Sequence, residues 1–148
     1  MKRTASAVWH GDLKAGHGAL ATYSGVLSYT PYSFGARFES ERGTNPEELL
    51  AAAHAGCFTM AFTAALGRAG FTPTRLATQA RVSLEQVNAS WTITAVHLEV
   101  DAWVPDIQAA RFQEIAEDAK ANCPVSRVLN AKITMHARLE ACGGQRPA

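Results

Sequence analysis

Two residues in this chain of 148 join a reactive side chain to a setting that could use it. Cys57 ends the stretch "NPEELLAAAHAGC", and Cys123 stands directly before Pro124 in "CPVSRVLN". A pair of thiols can pass between reduced, sulfenic and disulfide states. The chain holds three cysteines, too few and too odd a number for a disulfide scaffold. In a reducing compartment such thiols are packed, metal-bound or chemically used. The third, Cys142, lies beside two glycines near the chain end and is expected to be dispensable.

The two settings differ. Proline is favoured at the first helical position, so Cys123 falls at the N-cap of "PVSRVLN". Backbone N–H groups at a helix start stabilise a thiolate, which suits Cys123 to disulfide exchange; simple capping or packing is the plain alternative. Cys57 is expected in the middle of a helix, where an apolar setting raises a thiol pKa, and a helix cysteine is ordinarily inert packing. To react as a thiolate it needs a cation from elsewhere. Arg37, in a strand-like run between Phe34 and Phe38, is the candidate, with a solvated strand arginine as the alternative. A buried arginine needs a carboxylate, and Glu47 and Glu48 are available. Glu48 is nine residues from Cys57, about 180° away around a helix. Glu47 is about 80° off but also ~15 Å along the axis. Glu47 therefore either works through Arg37 or serves a partner subunit's site across antiparallel helices.

These residues need elements to position them. Asn45 is a good N-cap, Pro46 suits the first helical position, and Glu48 could close a capping box. The helix runs to Gly70, a good residue for the left-handed stop. From Leu49 to Leu66 the one strongly polar side chain is His54. A helix apolar almost all round is expected to be buried on all sides, so a second subunit should cover what one sheet cannot. Ala53, Ala61 and Ala64 share a face with Cys57, which puts the thiol on a tight seam near that interface. Before the helix, "SAVWHG" reads as a short strand, "GALATYSGVLSYT" as a hairpin turning at Ser24-Gly25, and "SFGARFES" as a further strand-like run. After it, "RLATQARVSLEQV" and "WTITAVHLEVDAWV" form a long antiparallel hairpin about Asn88-Ala89-Ser90. "IQAARFQEIAEDAKAN" and "PVSRVLN" read as helices and "KITMHARLEA" as a closing strand. The class is α+β, antiparallel sheets packed on a long central helix. One domain, residues 1–148, is expected, with 141–148 a frayed tail.

Bulk composition excludes several functions. A formal net charge of +1 with no basic stripe gives no reason to expect nucleic-acid binding. No apolar run is expected to approach the ~20 residues of a bilayer span, and the N-terminus lacks the apolar core of a secretory signal. A cytoplasmic, non-membrane protein is the expectation.

"RFESERGTNPEELLAAAHAGCF" followed by "CPVSRVLNAKIT" resembles the OsmC/Ohr family of thiol peroxidases, in its osmotically inducible protein C branch. The likeness extends over nearly the whole chain, including "WHGDLKAGHGALATYSGVLSYTPYSF". His54 in "AAHAGCF" resembles that branch, and Gly56 replaces a commoner alanine. The resemblance implies a two-layer α+β fold in an intertwined homodimer with two sites at the subunit interface. It implies Cys57 as peroxidatic cysteine, Cys123 as resolving cysteine, Arg37 as activating arginine and Glu47 as its carboxylate. The implied substrate is a small organic hydroperoxide, with hydrogen peroxide a poorer one. The reaction would pass through a Cys57 sulfenic acid and a Cys57–Cys123 disulfide. The implied reductant is an external dithiol, of lipoyl type or another thiol, with no metal or organic cofactor. The implied role is defence against oxidative or osmotic stress.

Phe34, Phe58, Met60 and Phe62 are apolar and near these residues in sequence. They are candidates for a substrate funnel, or for core alone. Three rivals remain. A zinc site could join His54, Cys57 and Cys123, though close C-x-x-C pairs are missing. A redox sensor could use the same thiols without turnover, and a ligand-binding protein could carry them incidentally. His54 itself is expected to be a packed core or interface histidine. His10, His17, His97 and His136 form no visible constellation.

Overall fold

The computed structural model describes residues 1–141. Of the expected tail, residues 142–148, Cys142 among them, lie outside the described residues. The chain divides into two compact units, Met1–Leu49 and Leu50–Ala148, and each is described by itself.

In the first unit, β1 (Ala5–His10), β2 (His17–Thr22) and β3 (Thr30–Tyr32) form an antiparallel sheet in that order. Gly18 lies opposite Trp9 and Tyr32 in the register. A Cβ there would sit 2.4 Å from the Tyr32 ring and 2.7 Å from that of Trp9. The missing side chain lets the two rings meet edge-on, with centroids 5.3 Å apart. The expected hairpin exists, but its second strand is only Thr30–Tyr32 and the turn is correspondingly longer.

"SFGARFES" corrects the strand-like expectation for Arg37. It folds as a short helix, α1 (Phe34–Phe38). The Ser33 hydroxyl accepts from the Ala36 N–H at 3.0 Å, an N-cap bond that alternation of apolar residues does not reveal. Phe34 and Phe38 are then one turn apart, with ring centroids at 4.9 Å. Strand alternation would equally have put both on one face.

The long helix α2 (Pro46–Arg68) begins where Asn45 caps it: the Glu48 N–H donates to Asn45 Oδ1 at 2.8 Å. The capping box is only half made. The Glu48 carboxylate instead accepts from Thr44 Oγ1 at 2.9 Å. At the other end Gly70 takes φ +90°, and the Phe71 N–H returns to the Leu66 carbonyl at 2.9 Å. That is the glycine-terminated stop expected from the sequence.

In the second unit, β4 (Arg75–Val87), β5 (Ser90–Trp103) and β6 (Lys132–Leu139) form one sheet with β5 in the middle. β4 and β5 are joined by Asn88 and Ala89, both at positive φ (50° and 63°), a two-residue turn whose twist suits the strands. β6 corrects the expectation of purely antiparallel sheets, since it runs parallel to β5. The reason is the length of the connection. α3 (Ala109–Asn122) and α4 (Pro124–Val128) intervene, and a helical crossover returns the chain in its original direction.

The core lies between this sheet and the helices. Phe58, Phe62 and Leu66 of α2 pack with Val96, Leu98 and Val100 of β5 and Phe112 of α3, all fully buried. Only that face of α2 is covered. Ala53, Gly56, Met60, Ala64 and Gly67 are exposed, so burial on all sides does not hold within one chain. The membrane expectation also needs correction. α2 has 23 residues and contains an 18-residue window of mean hydropathy 1.6, long and apolar enough by length and composition to cross a bilayer. His54 is the one strongly polar side chain from Leu49 to Leu66. That residue is buried in the core and does not break the run.

Candidate functional site

In the second unit α2 places Cys57 at the edge of its buried face, half-exposed, with a free thiol. Cys123, fully buried and also free, ends α3 and begins α4. The two thiols are within hydrogen-bonding reach of each other. No side-chain capping bond forms at Cys123. The free N–H of Val125, at the start of α4, donates to the Cys57 sulfur. The sequence reading gave the backbone N–H of this helix start to Cys123 and none to Cys57, and the structure reverses that. Pro124 marked the helix start correctly. Which sulfur lies over the open N–H groups depends on a tertiary contact that no local pattern reports.

Burial pushes the Cys57 thiol pKa up, the Val125 N–H pulls it down, and the Cys123 thiol adds a further upward push. The net direction is upward. In its own unit Cys57 is therefore more firmly protonated than an ordinary cysteine, and a thiolate there requires added positive charge.

One turn before Cys57, His54 is fully buried, and its Nε2 lies 2.8 Å from Ser126 Oγ. Its Nδ1 is buried without a hydrogen-bond partner. Burial lowers its pKa, so the ring is neutral. His54 is thus the core histidine that was expected, but Ser126, which the sequence reading passed over, is its partner. No group of three or more His, Cys, Asp or Glu among the described residues is placed to hold a metal.

The first unit holds a formed ion pair. Arg37, in the last turn of α1, donates from Nη2 to Glu47 Oε1 at 2.6 Å and from Nε to both carboxylate oxygens at 3.2 Å. The Glu47 side chain is 11% exposed and that of Arg37 35%. Such a fork fixes the plane of the guanidinium. The guanidinium also lies over the Phe38 ring at 5.2 Å. Asn45 Nδ2 donates to the Ala36 carbonyl at 3.0 Å and so ties the start of α2 to α1. Glu48 faces Thr44 and takes no part in the pair.

An apolar pocket of about 350 Å³ opens beside Arg37, walled by Trp9, Leu13, Tyr32, Phe34 and Phe38. Of the four sequence candidates for a substrate funnel, Phe34 lies here. Phe58 and Phe62 are fully buried core residues, and Met60 is 76% exposed on the open face of α2. Proximity in sequence could not separate them, because successive helix positions point about 100° apart.

His97 and His136, expected to form no constellation, do form one. Both donate to Glu99, from His97 Nε2 at 3.0 Å and His136 Nδ1 at 2.8 Å, and Arg138 donates to it at 2.7 Å. The bonds from His136 and then His97 lead in holding the Glu99 carboxyl down at about 2. Parallel pairing of β5 with β6 sets Glu99 opposite His136, a register hidden from the linear sequence.

A mixed helix-and-sheet chain with one half-exposed thiol facing one buried thiol has the makings of a thiol redox protein. The comparisons with known proteins give the family. The model for OsmC-like proteins matches residues 39–138, about two thirds of the chain, and the chain belongs to the OsmC family. It is 53% identical over 133 residues to peroxiredoxin OsmC of Escherichia coli K12, covering 90% of this chain and 93% of that one. The crystal structure of the organic hydroperoxide resistance protein OhrB of Bacillus subtilis superposes with a TM-score of 0.71 at 26% identity, over 91% of this chain and 98% of that one. An OsmC-like protein of unknown function from Vibrio cholerae shares the fold alone, with a TM-score of 0.74 at 14% identity over 93% and 99% of the two chains.

Proposed function

We propose that this chain, a thiol peroxidase of the OsmC family, reduces organic hydroperoxides to alcohols, and hydrogen peroxide more weakly. The observation that carries the reading is the pair of facing free thiols, Cys57 and Cys123, with a backbone N–H donated to the first. The Cys57 thiolate attacks the terminal oxygen of ROOH. The O–O bond breaks, the alkoxide leaves with a proton as ROH, and Cys57 becomes a sulfenic acid. The Cys123 thiol displaces water from it, forming the Cys57–Cys123 disulfide. An external dithiol, which we take to be of lipoyl type, returns both thiols by exchange.

Arg37 is the cation that a thiol with a raised pKa requires, and it stabilises the developing alkoxide. Glu47 orients it. The apolar pocket beside Arg37 suits an alkyl group, since burial is worth ~0.8 kcal/mol per CH₂. Trp9, Leu13, Tyr32, Phe34 and Phe38 would line it. No metal or organic cofactor enters, because the electrons come from the dithiol. The open face of α2, with the small residues Ala53, Gly56 and Ala64, is where we place a second copy of the chain. A homodimer would let Arg37 and Glu47 serve either their own Cys57 or the partner's. Free thiols suit the reducing cytoplasm.

Steady-state reduction of cumene hydroperoxide and hydrogen peroxide, with dihydrolipoamide or a thioredoxin system as donor, tests this. Many turnovers, a higher kcat/KM for the alkyl peroxide, and preference for dihydrolipoamide are expected. Consumption of one equivalent per chain and no more would make the protein a sensor and sink the proposal.

A further inference from the structure

His54 is a fully buried titratable group that the reaction above does not use. A leucine would fill similar space without burying an unpaired nitrogen, a group that costs free energy when left unsatisfied. The neutral ring carries one proton, and an unfilled acceptor is tolerated better than an unfilled donor. The proton therefore belongs on Nε2, and the ring donates to Ser126 Oγ. Ser126 follows Val125, whose N–H reaches the Cys57 sulfur, and the same turn begins at Cys123. α4 is only five residues long, none of them fully buried, and its start carries no side-chain cap. Val125 packs half-buried against the core, and the bond from α2 to Ser126 adds a directional tie to that packing.

We propose that His54 is a positioning residue: through Ser126 it latches the first turn of α4 to α2, so that the Val125 N–H and the Cys123 thiol both face Cys57. The latch acts on two steps of the proposed reaction, on whose reading of Cys57 and Cys123 it rests. It holds the donor that stabilises the Cys57 anion, and it holds the thiol that displaces water from the sulfenic acid. The titratable groups near Cys57 in this unit include Cys123, in contact with it, and His54, one turn away.

The test is the pH profile of Cys57 alkylation by iodoacetamide in the reduced full chain, read by mass on the Cys57 peptide. Ser126→Ala and His54→Leu are expected to move the midpoint to higher pH. They should also slow alkylation near neutrality roughly five- to tenfold, part of the effect of losing one hydrogen bond to an anion outright, since the Val125 N–H is misplaced and not removed. His54→Gln can donate from nearly the same place and should restore most of the rate. With several equivalents of cumene hydroperoxide, one to form the sulfenic acid and a second to carry it further, Ser126→Ala should gain Cys57 sulfinic acid at the expense of the disulfide. Unchanged midpoints in Ser126→Ala and His54→Leu overturn the latch, even if both variants melt earlier. Should His54→Leu not fold, Ser126→Ala decides alone, since Ser126 is half-buried. A shifted midpoint in a protein without peroxide turnover would support the latch while removing the peroxidase reading.

Discussion

Two helices in this molecule begin with the same device, a polar residue followed by proline, and use it in opposite ways. At the start of α2, Asn45 accepts the Glu48 N–H at 2.8 Å and satisfies the helix end locally. At the start of α4, Cys123 makes no side-chain cap bond, and the Val125 N–H is left for the Cys57 sulfur. In the proposed reaction the capped start contributes a side chain, Glu47, which holds the Arg37 guanidinium at 2.6 Å. The uncapped start would contribute its backbone N–H. A helix end can be closed by its own cap or left open to a neighbouring side chain, and this chain does one of each.

The harshest way to break the comparison is to remove the sulfur that the uncapped start serves. Cys57→Ser should lower peroxide turnover more than about 10³-fold. Cys123→Ser should leave one rapid oxidation per chain followed by sulfinic acid at Cys57, seen by mass. If Cys123→Ser turned over normally, the resolving role of α4 would be wrong.

A smaller loss tests the side chain that the capped start presents. Arg37→Lys keeps a positive charge but loses the fork to Glu47, and kcat/KM should fall roughly 10- to 100-fold. Equal activity in Arg37→Lys would show that charge alone suffices and that Glu47 orients nothing.

Asn45→Ala separates the two starts most directly. Loss of the cap should cost about 1–2 kcal/mol, or ~2–8 °C in Tm for a chain of this size, with the pH profile of Cys57 alkylation unmoved. A shifted profile would mean the capped start is not purely structural.

The weakest effect is expected in the sheet of the second unit. The folded Glu99 carboxyl sits at about 2, below its unfolded value. Its contribution to stability is therefore complete above about pH 4.5. It is lost as the pH falls toward 2. Glu99→Gln should lower stability above about pH 4.5, pH 7 included, and the difference from the parent chain should shrink as the pH falls toward 2. Equal stability of the two chains near pH 7 would show that the His97, His136 and Arg138 contacts do no net work.

Much of this was legible in the sequence where the signal was local. The β4–β5 hairpin, α2 with its Asn45 and Gly70 ends, and the proline-started α4 all follow from spacing and caps within a few residues. The long-range facts were not. α1 looked like a strand because Phe34 and Phe38 satisfy both periods, and its Ser33 cap went unread. The direction of β6 depended on the crossover before it. At the candidate site the reactive residue types could be named, but not which N–H reached which sulfur. Ser126 gave no signal at all, since a serine in the first turn of a short helix is ordinary.

The crossover from β5 through α3 and α4 to β6 has one more consequence. In the proposed oxidised form, a bond between Cys57 and Cys123 would close a covalent ring that contains the whole β4–β5 hairpin and α3. Chain-entropy arguments for a ring of this length give about 4 kcal/mol of added stability when such a link is made. The redox state of the thiols would then also be written in the melting temperature, the oxidised chain outlasting the reduced one on heating.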